Sequence, residues 1–342
     1  MVAERYALAV QREVDLSHAN TLRLPCVAER YAAPRTLNQL QSVLAQANRL
    51  GWAVTLLGGG SNVLLPARLS GIVIRPAFAQ WWLKAEGNQL FAHVGAGVNW
   101  HRLVMELAAA GLWGTENLAL IPGDCGAAPV QNIGAYGVEL ADVIEAVQVV
   151  DRSSGHVRWL NRDACQFGYR DSIFKGALAE NVVISQLVLR LSRLPMAKLG
   201  YGDLASRLPE SPTPLAVANA VCAIRREKLP DPEELANAGS FFKNPFVTDQ
   251  VADELRQQYP DMPCFPQGDG RTKLAAGWLI DQCGLKGFRQ GAFAVHQRQA
   301  LVLVHFGGGN RQGLLALART VSEKVAARFG VTLTPEPRLI TG

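Results

Sequence analysis

Residues 237–245 read Asn237-Ala238-Gly239-Ser240-Phe241-Phe242-Lys243-Asn244-Pro245. A buried core rarely holds that order, because Ser240, Lys243 and Asn244 would each need a partner there. A loop that presents a serine proton and binds an anion does call for it. Ser240 is the hydroxyl that such a loop would present. An anionic ligand needs fixed positive charge. Arg170 suits that need, since its planar fork matches a carboxylate bidentately. Glu336 lies between Pro335 and Pro337, which hold it extended. A rigid carboxyl group there orients an arginine or, if protonated, donates a hydrogen bond. Taken singly, each has an ordinary alternative: a cap for Ser240, a surface ion pair for Arg170, a solvated turn residue for Glu336.

Two glycine-rich segments add a second chemistry. Gly58-Gly59-Gly60-Ser61-Asn62 follows a short apolar strand. Backbone N–H groups can approach an anion there without interference from Cβ, and Ser61 and Asn62 add side-chain donors. A bare surface turn would read the same way. The GxGxxG and Walker spacings are both absent. The segment Ile121–Gly137 is longer and apolar. It suits backbone packed on a flat ligand, with Gln131 and Asn132 as hydrogen-bonding groups to a heterocycle; a buried crossover is an equal reading.

The elements that must position these residues are visible as patterns. Thr36-Leu37-Asn38-Gln39 is a capping box. Leu37, Leu40, Leu44, Ala47 and Leu50 then recur at helical spacing, closed by Gly51. Strands are expected at Ala53–Leu57, Gly71–Arg75, Leu90–Val94, Val143–Val150, His156–Leu160 and Val182–Leu191, with a helix over Trp100–Ala110. This stretch is mostly β with long glycine-rich turns. Thr213 caps and Pro214 opens a helix that Pro230 stops, with Arg225, Arg226 and Lys228 in its last turn where the helix dipole favours cations. Asp231-Pro232 marks a domain joint. Beyond it a helix over Lys273–Cys283, a strand over Ala300–His305 and a helix over Gln312–Phe329 form an α+β unit, followed by a short strand in the tail.

Composition narrows the classes. The chain has 342 residues, 49% hydrophobic and 18% charged, so two or three packed domains are expected. The net charge of +5 is spread out with no run of five basic residues, which argues against a nucleic-acid groove. The six cysteines are scattered, with no CxxC pair and no neighbouring histidine cluster, so no metal site is expected. The N-terminal stretch lacks an apolar segment, and nothing approaches a membrane span. A cytoplasmic protein, free of membrane and nucleic-acid partners and monomeric, is the expectation.

Two glycine segments, a β-rich first half and an α+β second unit resemble the vanillyl-alcohol-oxidase-like (PCMH-type) FAD-binding fold. The motifs Gly58–Leu64, Ile121–Glu139, Phe167–Ser172, Tyr201–Leu204, Lys228–Pro232, Asn237–Pro245, Lys273–Gln282 and Pro335-Glu336 are similar, in order, to those of the UDP-N-acetylenolpyruvoylglucosamine reductase family. The Tyr201 segment resembles the loop of its first type. Two departures are local: Asn20-Thr21-Leu22-Arg23 replaces an early Asn-Thr-Phe-Gly motif, and Ala127-Ala128 stands where serines are common. The resemblance implies an α+β fold: an FAD-binding domain of two lobes (1–78 and 79–229, the latter joined by the tail 330–342) and a substrate domain (230–329). It implies noncovalent FAD filled by NADPH. A hydride then reaches the terminal vinyl carbon of an enolpyruvyl UDP-sugar, and a proton reaches the carbon bearing the carboxylate, giving the peptidoglycan precursor UDP-N-acetylmuramate. Arg170, Ser240 and Glu336 would be catalytic; Tyr169, Tyr201, Lys228, Asn244 and Gln299 would meet the substrate. Gly58, Gly59, Gly60, Ser61, Asn62, Pro122, Gly123, Gly126, Gln131, Asn132, Gly134, Ala135 and Tyr136 would meet the cofactor. Two alternatives stay open: an FAD oxidase on the same fold, and a nonenzymatic nucleotide-sugar or nucleic-acid binder. His296 is read as structural.

Overall fold

The computed structural model describes residues 8–341. They form two compact units. The first takes the chain up to Val14, Ala28–Gly60 and Leu69–Glu227; the second takes Asp15–Val27, Ser61–Arg68 and the chain from Lys228 onward.

The first unit opens with a parallel sheet in which Val27–Ala32 and Val54–Leu56 flank Ile72–Ile74. The helix Leu37–Leu50 crosses over between the first two strands. It buries Leu40, Val43, Leu44 and Ala47, the i, i+3, i+4, i+7 stripe. Truncating one of these leucines to alanine costs about 2–5 kcal/mol. Thr36 Oγ1 accepts from the Gln39 N–H. The reciprocal half of the expected capping box is displaced by one residue, because Gln39 Oε1 accepts from the Arg35 N–H. Gly51, at φ 64°, closes the helix in the left-handed region.

A five-stranded antiparallel sheet follows, ordered Val157–Asn161, Ile144–Asp151, Val182–Leu191, Gln89–Gly95 and Trp81–Glu86. Val182–Leu191 is apolar almost throughout because it is covered on both faces. Ile184, Leu187 and Leu189 join a core with the helix Trp100–Ala109. Val183, together with Val150, instead packs on the Leu40–Ala47 stripe. Both expected lobes contribute to this unit, while Asp15–Val27 and Ser61–Arg68 belong to the second.

In the second unit, Ala236–Ser240, Val302–His305, Phe293–Val295 and Arg289–Gln290 form an antiparallel sheet. The helices Ala276–Gln282 and Arg311–Phe329 cover it, with Phe241, Leu279, Phe293, Leu317 and Val321 fully buried between them. Asn310 caps the longer helix by accepting from the Gly313 N–H, and Gly330 at φ 68° ends it.

Two expectations differ from this structure. The helix expected over Lys273–Cys283 begins only at Ala276, because Arg271–Leu274 is the central strand of a small sheet between Phe246–Thr248 and Cys264–Pro266. Cross-strand pairing outweighs helical periodicity there. The tail, expected with the second FAD-binding lobe, packs within the second unit. Its Arg338–Leu339 strand pairs in parallel with Val63–Leu64, and Pro335 bridges to Phe242.

Candidate active site

In the first unit, Arg170 sits at the tip of a tight turn. Gly168 and Asp171 exchange backbone hydrogen bonds of 3.0 and 3.2 Å, which leaves Tyr169 and Arg170 as the two tip residues. Arg170 adopts φ 53°, a left-handed conformation that costs a non-glycine residue about 1–2 kcal/mol. Its surroundings hold it there. Arg170 Nη2 donates to the Gly134 carbonyl at 2.7 Å, its guanidinium lies 5.5 Å over the Tyr169 ring, and Lys175 Nζ donates to the Arg170 carbonyl. A Cβ at position 134 would stand 2.9 Å from Arg170 Nη1 and 3.1 Å from the Val138 carbonyl oxygen, so a larger residue there would displace the guanidinium.

Gly134 opens a two-residue hairpin whose arms are Gly134–Ala135 and Val138–Glu139. Tyr136 and Gly137, at φ 49° and 78°, both take the left-handed conformation that this turn demands. The half-buried Tyr136 ring meets Tyr201 edge-on, 5.7 Å between centroids. Burial pushes the Tyr136 phenol above its usual range.

Asn132 is held through its side chain. Its Nδ2 donates to Glu139 Oε2 and to the Gly168 carbonyl, and its Oδ1 accepts from the Ala141 N–H, at 2.8, 3.1 and 2.9 Å. That set uses both amide hydrogens and one lone pair of the oxygen, and it braces the glycine segment against the turn bearing Arg170. Pro122, Gly123, Gly126, Gln131 and Ala135 lie along the same segment.

The glycines themselves fit a cofactor. A Cβ on Gly59 would stand 2.8 Å from the Gly123 Cα, and one on Gly126 would stand 2.6 Å from the Ala96 Cβ. The two segments thus meet backbone to backbone. Among the described residues, no backbone carbonyl accepts from the N–H groups of Gly58, Gly59 or Gly60, which suits an anion. Beside them Arg75 pairs with the buried Asp124 at 3.1 Å; burial raises the Asp124 carboxyl, and the guanidinium partly offsets that.

In the second unit, Ser240 ends the strand Ala236–Ser240 at a bulge, since Asn237 pairs with Val304 but Ser240 pairs with Val302. Gly239 at φ 69° makes the bulge possible. Buried Asn237 holds it: Oδ1 accepts from the Gly239 N–H, and Nδ2 donates to the Pro230 and Leu235 carbonyls. Phe241 and Phe242 are core residues, so they anchor the loop rather than line it. The Glu336 N–H donates to the Phe241 carbonyl at 2.8 Å, and the Lys243 N–H donates to Thr334. The two prolines therefore hold Glu336 against the residue next to Ser240. Both Ser240 and Glu336 are half-buried. Asn244 Oδ1 accepts from the Ala276 N–H and so caps the helix Ala276–Gln282 in trans. Gln299 lies in a turn where its N–H donates to His296 Nδ1. Burial holds His296 below its usual range, as a neutral acceptor. Lys228 is exposed, and Ser61 and Asn62 belong to this unit.

Four residues of the site's surroundings escape sequence reasoning. Arg75 and Asp124 signal nothing alone, because the pair spans 49 positions. Arg225 reads as a helix-end cation, yet its Nε is sealed from solvent without a partner, and burial lowers the guanidinium. Asn117 is fully buried between Tyr136 and Lys198. Among the described residues, no group of three metal-ligating side chains converges.

The fold and the glycine cradle define the class as FAD-binding flavoproteins. A model described as an FAD binding domain matches residues 28–161, and one described as the UDP-N-acetylenolpyruvoylglucosamine reductase C-terminal domain matches 231–340. The reductase of that name from Pasteurella multocida is 46% identical over 95% of this chain and 96% of its own. The Pseudomonas aeruginosa one is also 46% identical, over 97% and 99%. The Thermus caldophilus reductase structure covers 98% of this chain and 100% of its own, at TM-score 0.71 and 27% identity. 6-Hydroxy-D-nicotine oxidase from Arthrobacter nicotinovorans shares the fold, at TM-score 0.56 and 15% identity over 97% and 88%. The chain belongs to the UDP-N-acetylenolpyruvoylglucosamine reductase family. It binds FAD and is an oxidoreductase; the oxidase alternative is not favoured.

Proposed function

We propose that this chain reduces the enolpyruvyl ether of UDP-N-acetylglucosamine to UDP-N-acetylmuramate, with Ser240 as the proton donor. FAD, when bound, supplies the hydride chemistry, with NADPH as its source. Gly58, Gly59 and Gly60 would hold the cofactor's phosphates, and the Ile121–Gly137 segment its ring. Arg170 stabilises the negative charge that builds next to the substrate carboxylate. Ser240 Oγ gives its proton to the carbon bearing that carboxylate. Glu336 orients or hydrogen-bonds the developing enolate. Tyr169, Tyr201, Lys228, Asn244 and Gln299 bind the nucleotide-sugar.

The observation that carries this reading is the bulge at Ser240. A glycine in the left-handed region and a bonded Asn237 side chain fix the backbone at Ser240, while the Glu336 backbone is bound to the next residue. A cap or a surface turn needs neither device. A monomer in the cytoplasm completes the proposal. Six free cysteines, four of them buried, support a reducing compartment. Among the described residues no helix is long and apolar enough to cross a membrane.

Anaerobic spectroscopy tests the activity. NADPH bleaches the flavin absorbance of the purified protein, and the enolpyruvyl nucleotide restores it. Recovery with oxygen alone, and none with the nucleotide, would mean an oxidase.

A further inference from the structure

The loop bearing Tyr201 is a short arch between two fixed posts, all within the first unit. Tyr201 is exposed and lies between Gly200 and Gly202; a Cβ on either glycine would meet nothing within 4 Å. On the far side, Leu204 is fully buried and Arg207 forks onto the Glu227 carboxylate at 2.6 and 2.9 Å. On the near side the post is Asn117. Its buried Nδ2 donates to the Lys198 carbonyl at 2.7 Å and to the Tyr136 carbonyl at 2.9 Å, while its Oδ1 has no partner. A second, exposed tie joins Lys198 Nζ to Asp142 at 3.0 Å. One carboxamide therefore pins the loop stem to the hairpin whose Tyr136 ring meets Tyr201.

We propose that Asn117 is a positioning residue for the nucleotide-sugar. It sets the height of Tyr201 over the glycine segment and confines motion to residues 199–203. The proposal rests on the reading that Tyr201 touches the substrate. The two donor hydrogens are the functional part of Asn117, because each holds a buried carbonyl. An aspartate at 117 loses both and sets a carboxylate against two carbonyl oxygens. A loop freed in this way must be ordered again on binding, which raises KM and leaves chemistry on bound substrate nearly unchanged.

The test uses the FAD-loaded enzyme with Asn117→Asp, Asp142→Asn and Tyr201→Ala. In Asn117→Asp, hydrogen exchange over residues 198–204 should quicken about tenfold or more. KM for the enolpyruvyl nucleotide should rise about tenfold, with kcat and the rate of flavin bleaching by NADPH within about twofold. Asp142→Asn, which takes the charge from the exposed tie and keeps an oxygen to accept from the Glu139 N–H, should move exchange and KM in the same direction by about twofold. Unchanged exchange in a folded Asn117→Asp protein would overturn the proposal. So would a fall in flavin bleaching as large as the fall in turnover, which would make Asn117 a brace of the cofactor segment. Should Asn117→Asp not fold, Asn117→Ser, which removes both amide donors without adding a charge, takes its place, and unchanged exchange and KM in it would overturn the proposal. Tyr201→Ala separates the two readings. A raised KM there with an unchanged KM in Asn117→Asp overturns the tether. An unchanged KM in Tyr201→Ala sinks the Tyr201 assignment and the substrate half of the proposal with it.

Discussion

Arg170 keeps one arm of its planar fork on the Gly134 carbonyl at 2.7 Å. A lysine has no second arm. Arg170→Lys should therefore lower kcat on the order of a hundredfold although the charge is kept, with flavin content unchanged; a rate near that of the parent would remove Arg170 from the chemistry. Cys125 is buried in the core, and desolvation pushes its thiol far above the ordinary range. It cannot offer a thiolate for covalent attachment. Acid precipitation should release all the yellow colour from the protein, and colour left on the pellet would contradict noncovalent FAD. At this scale the sequence singles out a residue whose type is unusual for its place, as with Ser240 between a glycine and two aromatics. It was silent on the side-chain partners of Asn132 and Asn117. A carboxamide that binds a ligand and one that braces two loops are the same residue, and only the partners distinguish them.

The glycine segments make their sharpest demand at Gly59, where a Cβ would stand 2.8 Å from the Gly123 Cα and 3.3 Å from the Asp124 N. Both obstacles are backbone. Gly59→Ala should part the two segments at a cost of about 1–3 kcal/mol and show as loss of bound flavin from an otherwise folded protein. Full flavin content in that variant would mean that the cradle is not where the cofactor binds. Elements with strong local signals were legible. Thr36 and Gly51 mark both ends of the helix Leu37–Leu50, and the apolar run Val182–Leu191 is one strand along its whole length. Lys273 and Leu274 were not, because their strand is defined by partners at Phe246–Thr248 and Cys264–Pro266. Pairing across such distances leaves no local mark.

At the scale of the whole molecule, stability is expected to carry a trace of one buried acid. Burial raises the Glu116 carboxyl in the folded protein, against hydrogen bonds led by its own and the Gly114 N–H that lower it. A folded-state value above the unfolded one means that the folded chain holds the proton more tightly. Its contribution is present below the unfolded carboxylate range and is lost as pH rises through the folded value. Glu116→Gln, which removes the ionisation, should thus raise the midpoint of thermal unfolding at pH 7 more than at pH 4. An equal change at both pH values would show that Glu116 is not ionising in a buried site. The order of motifs along the chain carried the fold class, since the cofactor segments precede the Ser240 segment. The pairing of the tail was not legible, because it rests on two strands of two residues each, 63–64 and 338–339.

The proton assignment is tested most directly by following the two half-reactions of Ser240→Ala separately under anaerobic conditions. NADPH should bleach the flavin at close to the parent rate, because that step takes no proton from Ser240. Recovery of absorbance with the enolpyruvyl nucleotide should slow by about 10²–10⁴-fold, the scale of a lost general acid. Equal slowing of both half-reactions, or recovery at the parent rate, would contradict Ser240 as the proton donor.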